Sequence, residues 1–175
     1  MRDAKRMSPL GAIATGLVAG AVGTGCMDTV RFLRQRRTGG EHNVWKWEFA
    51  PVRGWQDAPS PGQVGKRVIE GFTRRELPDS SAWLVSTLMH WSYGSAWGAM
   101  YGVLVGSLRT SRADYGAPFG AVVWISGYAL LSEAGLYKPI WEYDRKTLAE
   151  DLTGHLAYGV GTGAAFWVLR NFVHE

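Results

Sequence analysis

The chain has 175 residues, a length that suits a single domain. Its one cysteine, Cys26, excludes an internal disulfide, and its net charge of +4 does not indicate a nucleic-acid-binding protein, because the basic residues lie mainly in loops. The mean hydropathy of −0.10 is typical of a soluble protein, but this average hides a strong separation of charged and uncharged segments.

Four long segments contain no Asp, Glu, Lys or Arg. They hold 21, 29, 18 and 18 residues, and they lie at 7–27, 80–108, 115–132 and 152–169. A helix that crosses a bilayer needs about 20 predominantly apolar residues. A surface helix of a soluble protein would carry charges on its solvent-facing side. The sequence therefore predicts an all-α polytopic membrane protein with four transmembrane helices; the alternative is a glycine-rich soluble α domain.

The first predicted transmembrane helix covers about residues 10–32. Ser8 and Pro9 supply a cap and a first-turn proline, which commonly begin a helix. Basic residues precede the apolar run, as they do in a signal peptide. No clean cleavage site precedes a polar mature start, so we interpret the segment as a retained helix.

Residues 33–80 form the one sizeable polar segment. Its first part is rich in glycine and proline and is expected to be irregular. An amphipathic helix is predicted at about 63–77, before Pro78, and its apolar face contains Val64, Val68, Ile69 and Phe72. This pattern favours a helix that lies at the membrane interface; a solvated helix packed on the loop is the alternative.

The other transmembrane helices are predicted at about 81–108, 115–136 and 148–172. The connection at 109–114 is short, which predicts that the second and third helices are antiparallel neighbours. Several tryptophans lie in loops or near helix ends, where the headgroup level of a bilayer favours them: Trp45, Trp47, Trp55, Trp83, Trp141 and Trp167.

This helix order makes the two halves of the chain parallel helix-hairpin repeats, related by an axis along the membrane normal. The membrane face that carries the long loop and the 137–147 link has thirteen Lys and Arg residues, and the opposite face has six. The positive-inside rule therefore predicts that the 33–80 loop is cytoplasmic and that both termini lie outside.

A nine-residue pattern supports the repeat. Residues 90–98 and 155–163 both read H-x-x-Y-G-x-x-x-G, and both lie in uncharged segments. The first helices of the two halves match loosely: a Gly-Ala pair occurs at 11–12 and at 116–117, and an acid lies seventeen residues after the glycine of each pair. The sequence thereby pairs Asp28 with Glu133, as it pairs His90 with His155.

These four ionisable residues are expected at one level of the bundle, near the same membrane face, which makes them the candidate site. Ionisable groups within a membrane are costly and usually find partners in the bundle interior. Two imidazoles and two carboxylates could bind a divalent metal, and they could also relay protons. A b-type haem between His90 and His155 is a further alternative. The remaining interpretation is structural, in which each histidine bonds to an acid of a neighbouring helix.

Glycines at four-residue spacing occur in every predicted transmembrane helix. Such small residues let helix backbones approach closely in a membrane. The partner could lie within the bundle, in a second copy of the chain or in a larger membrane complex. The predicted packing glycines are Gly16, Gly20, Gly94, Gly98, Gly102, Gly106, Gly116, Gly120, Gly159 and Gly163.

The chain lacks recognisable catalytic motifs. It contains no phosphate-binding loop, nucleophile elbow, H-E-x-x-H or C-x-x-C pattern, and its Ser and Thr residues have no neighbouring base. We therefore expect no enzymatic activity and no resident cofactor other than a possible divalent metal. A structural or accessory membrane protein is the first hypothesis, and a metal-binding or cation- or proton-translocating protein is the second.

The two histidine motifs, the segment that ends in Leu77-Pro78 and the Gly-x-Gly-x-Met-Asp pattern at 23–28 resemble those of the YagU-like small bacterial inner-membrane proteins. The resemblance covers most of the chain outside residues 33–60. It implies a four-helix protein of the bacterial inner membrane, with the lipid bilayer as its surroundings. It brings no catalytic residues with it.

Overall fold

The computed structural model describes residues 7–108 and 112–173, and all regular structure in these ranges is helical. The all-α prediction is therefore confirmed. The described residues contain six α-helices: α1 Pro9–Arg37, α2 Val44–Glu48, α3 Ser60–Thr73, α4 Ala82–Gly106, α5 Gly116–Glu133 and α6 Arg145–Val173. Helices α1, α4, α5 and α6 occupy the four segments predicted to cross the membrane.

The helix ends follow local chemistry. The Ser8 hydroxyl accepts a hydrogen bond from the backbone N–H of Gly11, at 3.1 Å, which caps α1. The amphipathic helix α3 begins and ends earlier than predicted. It ends at Thr73 because Arg74 adopts a left-handed conformation with φ of 54°, and a Glu70 carboxylate oxygen then accepts from the Leu77 N–H at 2.8 Å. Pro78 therefore does not end the helix.

Helix α1 is the central element of the bundle. It packs against α4 on one side and against α6 on the other, while α5 packs on α6 and α3 packs on α4. Helices α4 and α5 do not form the close antiparallel pair that the short connection predicts. The ring of Phe119 contacts those of Trp97 and Tyr101, with centroid separations of 6.1 and 4.9 Å, and these large side chains hold the two backbones apart.

Glycines lie where the backbones approach most closely. A Cβ atom built on Gly98 of α4 would lie 2.3 Å from the Gly16 carbonyl oxygen and 2.4 Å from the Gly20 Cα of α1. One built on Gly159 of α6 would lie 2.1 Å from the Gly116 carbonyl oxygen of α5. No larger residue fits at these contacts unless the helices move apart.

The same contacts can be compared between the α1–α4 pair and the α5–α6 pair. Gly20 faces Gly94 and Gly98, and Gly116 faces Gly159 and Gly163 in the same manner. Because the glycines recur every four residues, these contacts also fit a register in which Gly20 matches Gly120. When the histidine motifs at 90–98 and 155–163 are aligned as well, Gly20 matches Gly116, and Trp124, rather than Glu133, matches Asp28. Neither register pairs Asp28 with Glu133, so that loose alignment is wrong; with the histidine motifs aligned, it is displaced by nine residues. Nine residues are two and a half helical turns, so the predicted acid lies on the opposite face of α5.

Apolar side chains cover the outside of the four long helices. Among those with at least two-fifths of their surface exposed are Val18, Leu84, Leu88, Val103, Leu104, Val122, Ile125, Val160 and Phe172. Buried polar side chains lie inside instead and include Thr24, Asp28, Thr162 and Arg170. Arg170 points towards the carbonyl oxygens of Val105 and Leu108, at 3.5 and 3.4 Å, where α4 ends.

Among the described residues, α1 is the one helix that is both long and apolar enough to cross a membrane by length and composition. Helices α4 and α5 contain many Trp, Tyr, Gly and Ser residues, and the first turns of α6 are charged. These residues lower the mean hydropathy of segments that the absence of charge had marked as transmembrane.

Candidate functional site

An aspartate–histidine pair joins α1 to α4. The Nε2 atom of His90 lies 2.8 Å from the Oδ2 atom of Asp28, and only a tenth of the Asp28 side chain is exposed. The pair forms because glycines bring α1 and α4 close together, and Asp28 lies two turns beyond Gly20 on the α4-facing side. Two of the four predicted site residues are thus brought together.

A second carboxylate, Glu48, reaches this pair from the short helix α2. The side chain of Asn43 caps α2, and Trp47 packs against Phe32 of α1 with a centroid separation of 5.6 Å. One oxygen of Glu48 accepts a hydrogen bond from Nε1 of Trp91, at 3.2 Å. The sequence offered no signal for Glu48, because the contact depends on how a polar loop folds back over α1.

The three side chains form a compact set of ligand-type atoms. One atom each of Asp28, Glu48 and His90 lies within 4.8 Å of the others. Burial raises the pKa of Glu48 above its ordinary value, and the nearby Asp28 carboxylate raises it further. Two carboxylates and an imidazole at this separation suit a divalent cation, which would also relieve the repulsion between the acids.

Glu133 does not belong to the site. Its side chain is exposed at the end of α5 and borders a separate shallow depression with Trp141 and Pro139. The predicted set of four ligands is therefore not assembled. The reason is the register of α5, which places Trp124 where the prediction expected an acid.

His155 makes different contacts from His90. Its Nδ1 atom lies 2.9 Å from the backbone carbonyl oxygen of Asp151, one turn earlier in α6. The Asp151 carboxylate pairs with Arg31 of α1 at 3.2 Å. His155 thus lies outside the Asp28–Glu48–His90 group, and the Arg31–Asp151 pair beside it was not predicted.

Both histidines nevertheless line one cavity of about 520 Å³. Its walls come from α1, α3, α4, α5 and α6, so it is a partly open cleft between these helices, beneath the amphipathic helix. The lining is largely apolar and aromatic, and it includes Tyr93, Trp97, Trp124, Tyr128, Tyr137 and Tyr158. The predicted polar centre is therefore the edge of a larger cavity.

The arrangement does not favour a haem held by both histidines. The Nε2 atom of His90, the usual axial donor, is already hydrogen-bonded to Asp28. A haem would have to break that bond and leave a buried carboxylate without its partner, which is unfavourable.

These features define a class of molecule: a glycine-packed helical bundle with an acid–histidine cluster at the edge of a partly open cavity between its helices. Comparison with known proteins found no matching protein-family model, curated protein or solved structure. The function is therefore argued from the residues of this chain.

Proposed function

We propose that this chain is a four-span integral protein of the bacterial inner membrane, with a structural or accessory role. In this proposal α1, α4, α5 and α6 cross the bilayer. The observation that carries it is the distribution of side chains: large apolar groups face outwards around all four helices, while Asp28, Thr24, Thr162 and Arg170 are buried.

This distribution is the reverse of that expected in water. Soluble monomers rarely expose continuous apolar surface over several helices, because each exposed Å² costs roughly 25 cal/mol. In a bilayer the same surface contacts acyl chains. The buried polar groups are then compatible with the location, since each can find a partner within the bundle: Thr24 and Thr162 donate to carbonyl oxygens of their own helices.

The packing between helices supports the same location. In lipid, helix association depends on close backbone approach rather than on burial of large apolar side chains. Glycine contacts join α1 to α4 and α5 to α6, as expected for two repeated hairpins. The resemblance of the histidine motifs to YagU-like proteins agrees with this assignment.

Helix α3 suits the membrane interface. It packs on α4 through Gly62 and Gly65, while Val68 and Phe72 remain exposed. Exposed tryptophans such as Trp45 and Trp141 lie in the connecting segments. Amphipathic helices and tryptophans both favour the headgroup level, so this face of the bundle would contact lipid headgroups.

In the proposed role, the Asp28–His90 pair serves stability. It joins the first hairpin across its helix–helix contact, and it satisfies a buried carboxylate that would otherwise oppose insertion. No step of a chemical reaction is assigned to it.

A single substitution tests the membrane location. Ala96 is exposed near the middle of α4. In a soluble protein Ala96→Arg would change stability by no more than about 0.5 kcal/mol, whereas at the centre of a membrane span it would cost roughly 2.5–3.5 kcal/mol.

We therefore expect Ala96→Arg to lower the amount of protein that resists alkaline carbonate extraction from membranes. The exposed loop variant Gln56→Arg serves as the control and should behave as wild type. Recovery of the wild-type chain in the detergent-free supernatant would contradict the proposal.

A second candidate function is divalent-cation binding, which the convergence of Asp28, Glu48 and His90 favours. Mn²⁺ titrated into the purified protein should bind with micromolar or better affinity. Glu48→Gln should weaken binding at least tenfold while it keeps the Asp28–His90 bond, and Glu142→Gln, in a different connection, should not. Equal binding by all three proteins would exclude a site at this cluster.

A further inference from the structure

The two helix pairs differ at one equivalent position. In the first pair, Asp28 of α1 accepts a hydrogen bond from His90 of α4. In the second pair, the glycine contacts place Trp124 of α5 opposite the region of His155 in α6. An indole N–H only donates, so it cannot replace the carboxylate as an acceptor. The second pair therefore keeps polar groups that its own helices do not satisfy.

Trp124 carries one of these groups. Its Nε1 atom is buried and has no hydrogen-bond partner among the described residues, and its side chain lines the cavity. Buried donors in native proteins almost always have a partner. Because the ring that carries this buried donor lies at the cavity wall, a small rotation of the indole would turn its N–H towards a hydrogen-bond acceptor in the cavity.

His155 supplies a second open atom. Its Nδ1 atom donates to the Asp151 carbonyl oxygen in the neutral ring, which leaves Nε2 as an acceptor. Nε2 makes no hydrogen bond within the described residues, and His155 also lines the cavity. The cavity thus offers a donor and an acceptor from neighbouring helices.

The charged groups at the cavity wall are already paired. Arg31 pairs with Asp151 at 3.2 Å, and His90 bonds to Asp28 at 2.8 Å. Among the described lining residues, no cation remains free for a carboxylate or a phosphate, and no anion for an amine. The cavity therefore suits a neutral ligand.

The volume of the cavity and the residues of its walls indicate the size and the shape of the ligand. A volume of about 520 Å³ falls within the range of small-molecule sites, roughly 300–1,000 Å³. Aromatic rings from α4, α5, α6 and the 137–143 segment surround it. Such walls favour a flat ring, which they contact by stacking or edge-to-face packing.

We propose that this cavity binds a neutral, lipid-soluble molecule of the quinone class, with one ring carbonyl oxygen accepting a hydrogen bond from Trp124 Nε1. The proposal rests on the membrane location inferred above, because a bilayer supplies ligands of this kind. A quinone combines a flat ring with carbonyl acceptors and carries no charge, which matches the aromatic walls, the Trp124 donor and the absence of a free charge. The acceptor on His155 would be matched only by a hydroxyl group of the reduced quinol form. The proposal concerns binding and includes no electron transfer.

The test measures retention of a radiolabelled decyl-substituted benzoquinone by the full chain in lipid nanodiscs, relative to empty nanodiscs. Trp124→Phe keeps an aromatic ring, although a smaller one, and removes the N–H; it should weaken binding about tenfold, as expected for a lost hydrogen bond. Trp167→Phe, on the exposed side of α6, should bind as wild type. Decylbenzene, which lacks carbonyl oxygens, should not distinguish the two variants.

A second pair of variants keeps the test decisive if Trp124→Phe misfolds. Cβ atoms built on Gly127 and Gly25 meet nothing within 4 Å, but only Gly127 lines the cavity. Gly127→Leu should abolish binding, and Gly25→Leu should preserve it, with thermal melts showing that both are folded.

Three results would overturn the quinone site: no wild-type retention above empty nanodiscs, unchanged binding by Trp124→Phe, or unchanged binding by Gly127→Leu. A chain that stays in the membrane fraction but retains no quinone would overturn this site alone. A chain found in the soluble fraction would overturn the membrane location as well.

Discussion

At the scale of single residues, the Asp28–His90 pair acts as a unit. Asp28 is almost fully buried, and the 2.8 Å contact with His90 is its hydrogen bond to another helix. Removing one partner leaves the other buried without compensation. For buried pairs this loss typically lowers the free energy of unfolding by about 3–5 kcal/mol. Because His90 is partly exposed, we expect a value near the lower end of this range.

We therefore expect His90→Ala to lower the free energy of unfolding by about 3 kcal/mol, or the Tm by several degrees. His155→Ala should cost less, because His155 bonds a backbone carbonyl of its own helix. Thermal unfolding in detergent measures both variants. Equal losses for the two histidines would contradict a specific role for the Asp28–His90 pair.

Glu48 leads to a prediction about pH. Its pKa is raised by burial and by Asp28, so the folded state disfavours its ionised form. This penalty is absent below the ordinary value of 4.5 and is fully present once the pH exceeds the raised pKa. Near pH 8, Glu48→Gln should therefore have a higher Tm than the wild-type protein. The expected increase is at most about 2–4 °C, which corresponds to about 1 kcal/mol of stability in a protein of this size.

The advantage of Glu48→Gln should disappear near pH 4, where both side chains are neutral. Melts of the two proteins across this range measure the difference directly, and effects of other titrating groups largely cancel in the comparison. A difference that grows as the pH falls would show that the carboxylate stabilises the fold. The melts should be recorded in the presence of a chelator, because a cation bound to Glu48 would stabilise the wild-type protein and reverse the sign of the Tm difference.

The residue scale also shows what the sequence could predict. Asp28 and His90 could be found because ionisable residues stand out beside uncharged segments. The choice of Glu133 was wrong. This acid matched Asp28 in its distance from a glycine, but it lies on the face of α5 opposite to the position that matches Asp28. Glu48 and Trp124 carried no comparable signal: one depends on a loop contact, and the other looks like an ordinary apolar residue.

At the scale of helices, glycine contacts determine which elements meet. Gly98 of α4 touches the backbone of α1, and its hydrogen faces atoms that a methyl group would overlap. The spacing of the glycines predicted close contacts but not their partners. The aromatic residues beside the glycines also determine which helices pack together, because Phe119 keeps α5 away from α4.

This packing gives a matched pair of substitutions. Gly98→Ala would place a Cβ 2.3 Å from the Gly16 carbonyl oxygen, so α1 and α4 must separate. We expect a loss of at least about 2 kcal/mol, as for other overpacked contacts. Gly25→Ala, on α1 with open space around it, should be neutral or stabilising by up to about 1 kcal/mol. Equal effects in thermal unfolding would contradict the tight α1–α4 contact.

Helix boundaries were harder to predict. The apolar pattern of α3 continued to Leu77, yet the helix ends at Thr73 because Arg74 turns the backbone into the left-handed region. Non-glycine residues adopt this conformation rarely, and nothing in the local sequence marks Arg74 as one of them. The Glu70 carboxylate contact with Leu77 helps to hold the turn, and such a contact is visible only in the folded chain.

At the scale of the whole molecule, the distribution of charge was more informative than average hydropathy. Uncharged segments located all four long helices, whereas the length and hydropathy criterion is met by α1 alone among the described residues. Trp, Tyr and Gly lower hydropathy although each is common in membrane helices, for interfacial anchoring or close packing. The helical class could therefore be predicted from sequence, while the cavity could not, since it depends on how five helices meet.

The proposed orientation in the membrane yields the last prediction. Basic residues are concentrated in the long loop and in the 137–147 link, which the positive-inside rule assigns to the cytoplasm. In a Cys26→Ala background, a cysteine at Gln56 should react with a membrane-impermeant maleimide only after permeabilisation. A cysteine at Ser107, exposed at the opposite end of α4, should react in intact spheroplasts. The reverse labelling pattern would show that the protein has the opposite orientation in the membrane. Labelling of both sites in intact spheroplasts would be incompatible with four spans. Because α3, Glu48 and the loop that carries them all lie on the Gln56 side, this labelling also determines which compartment faces the acid–histidine cluster.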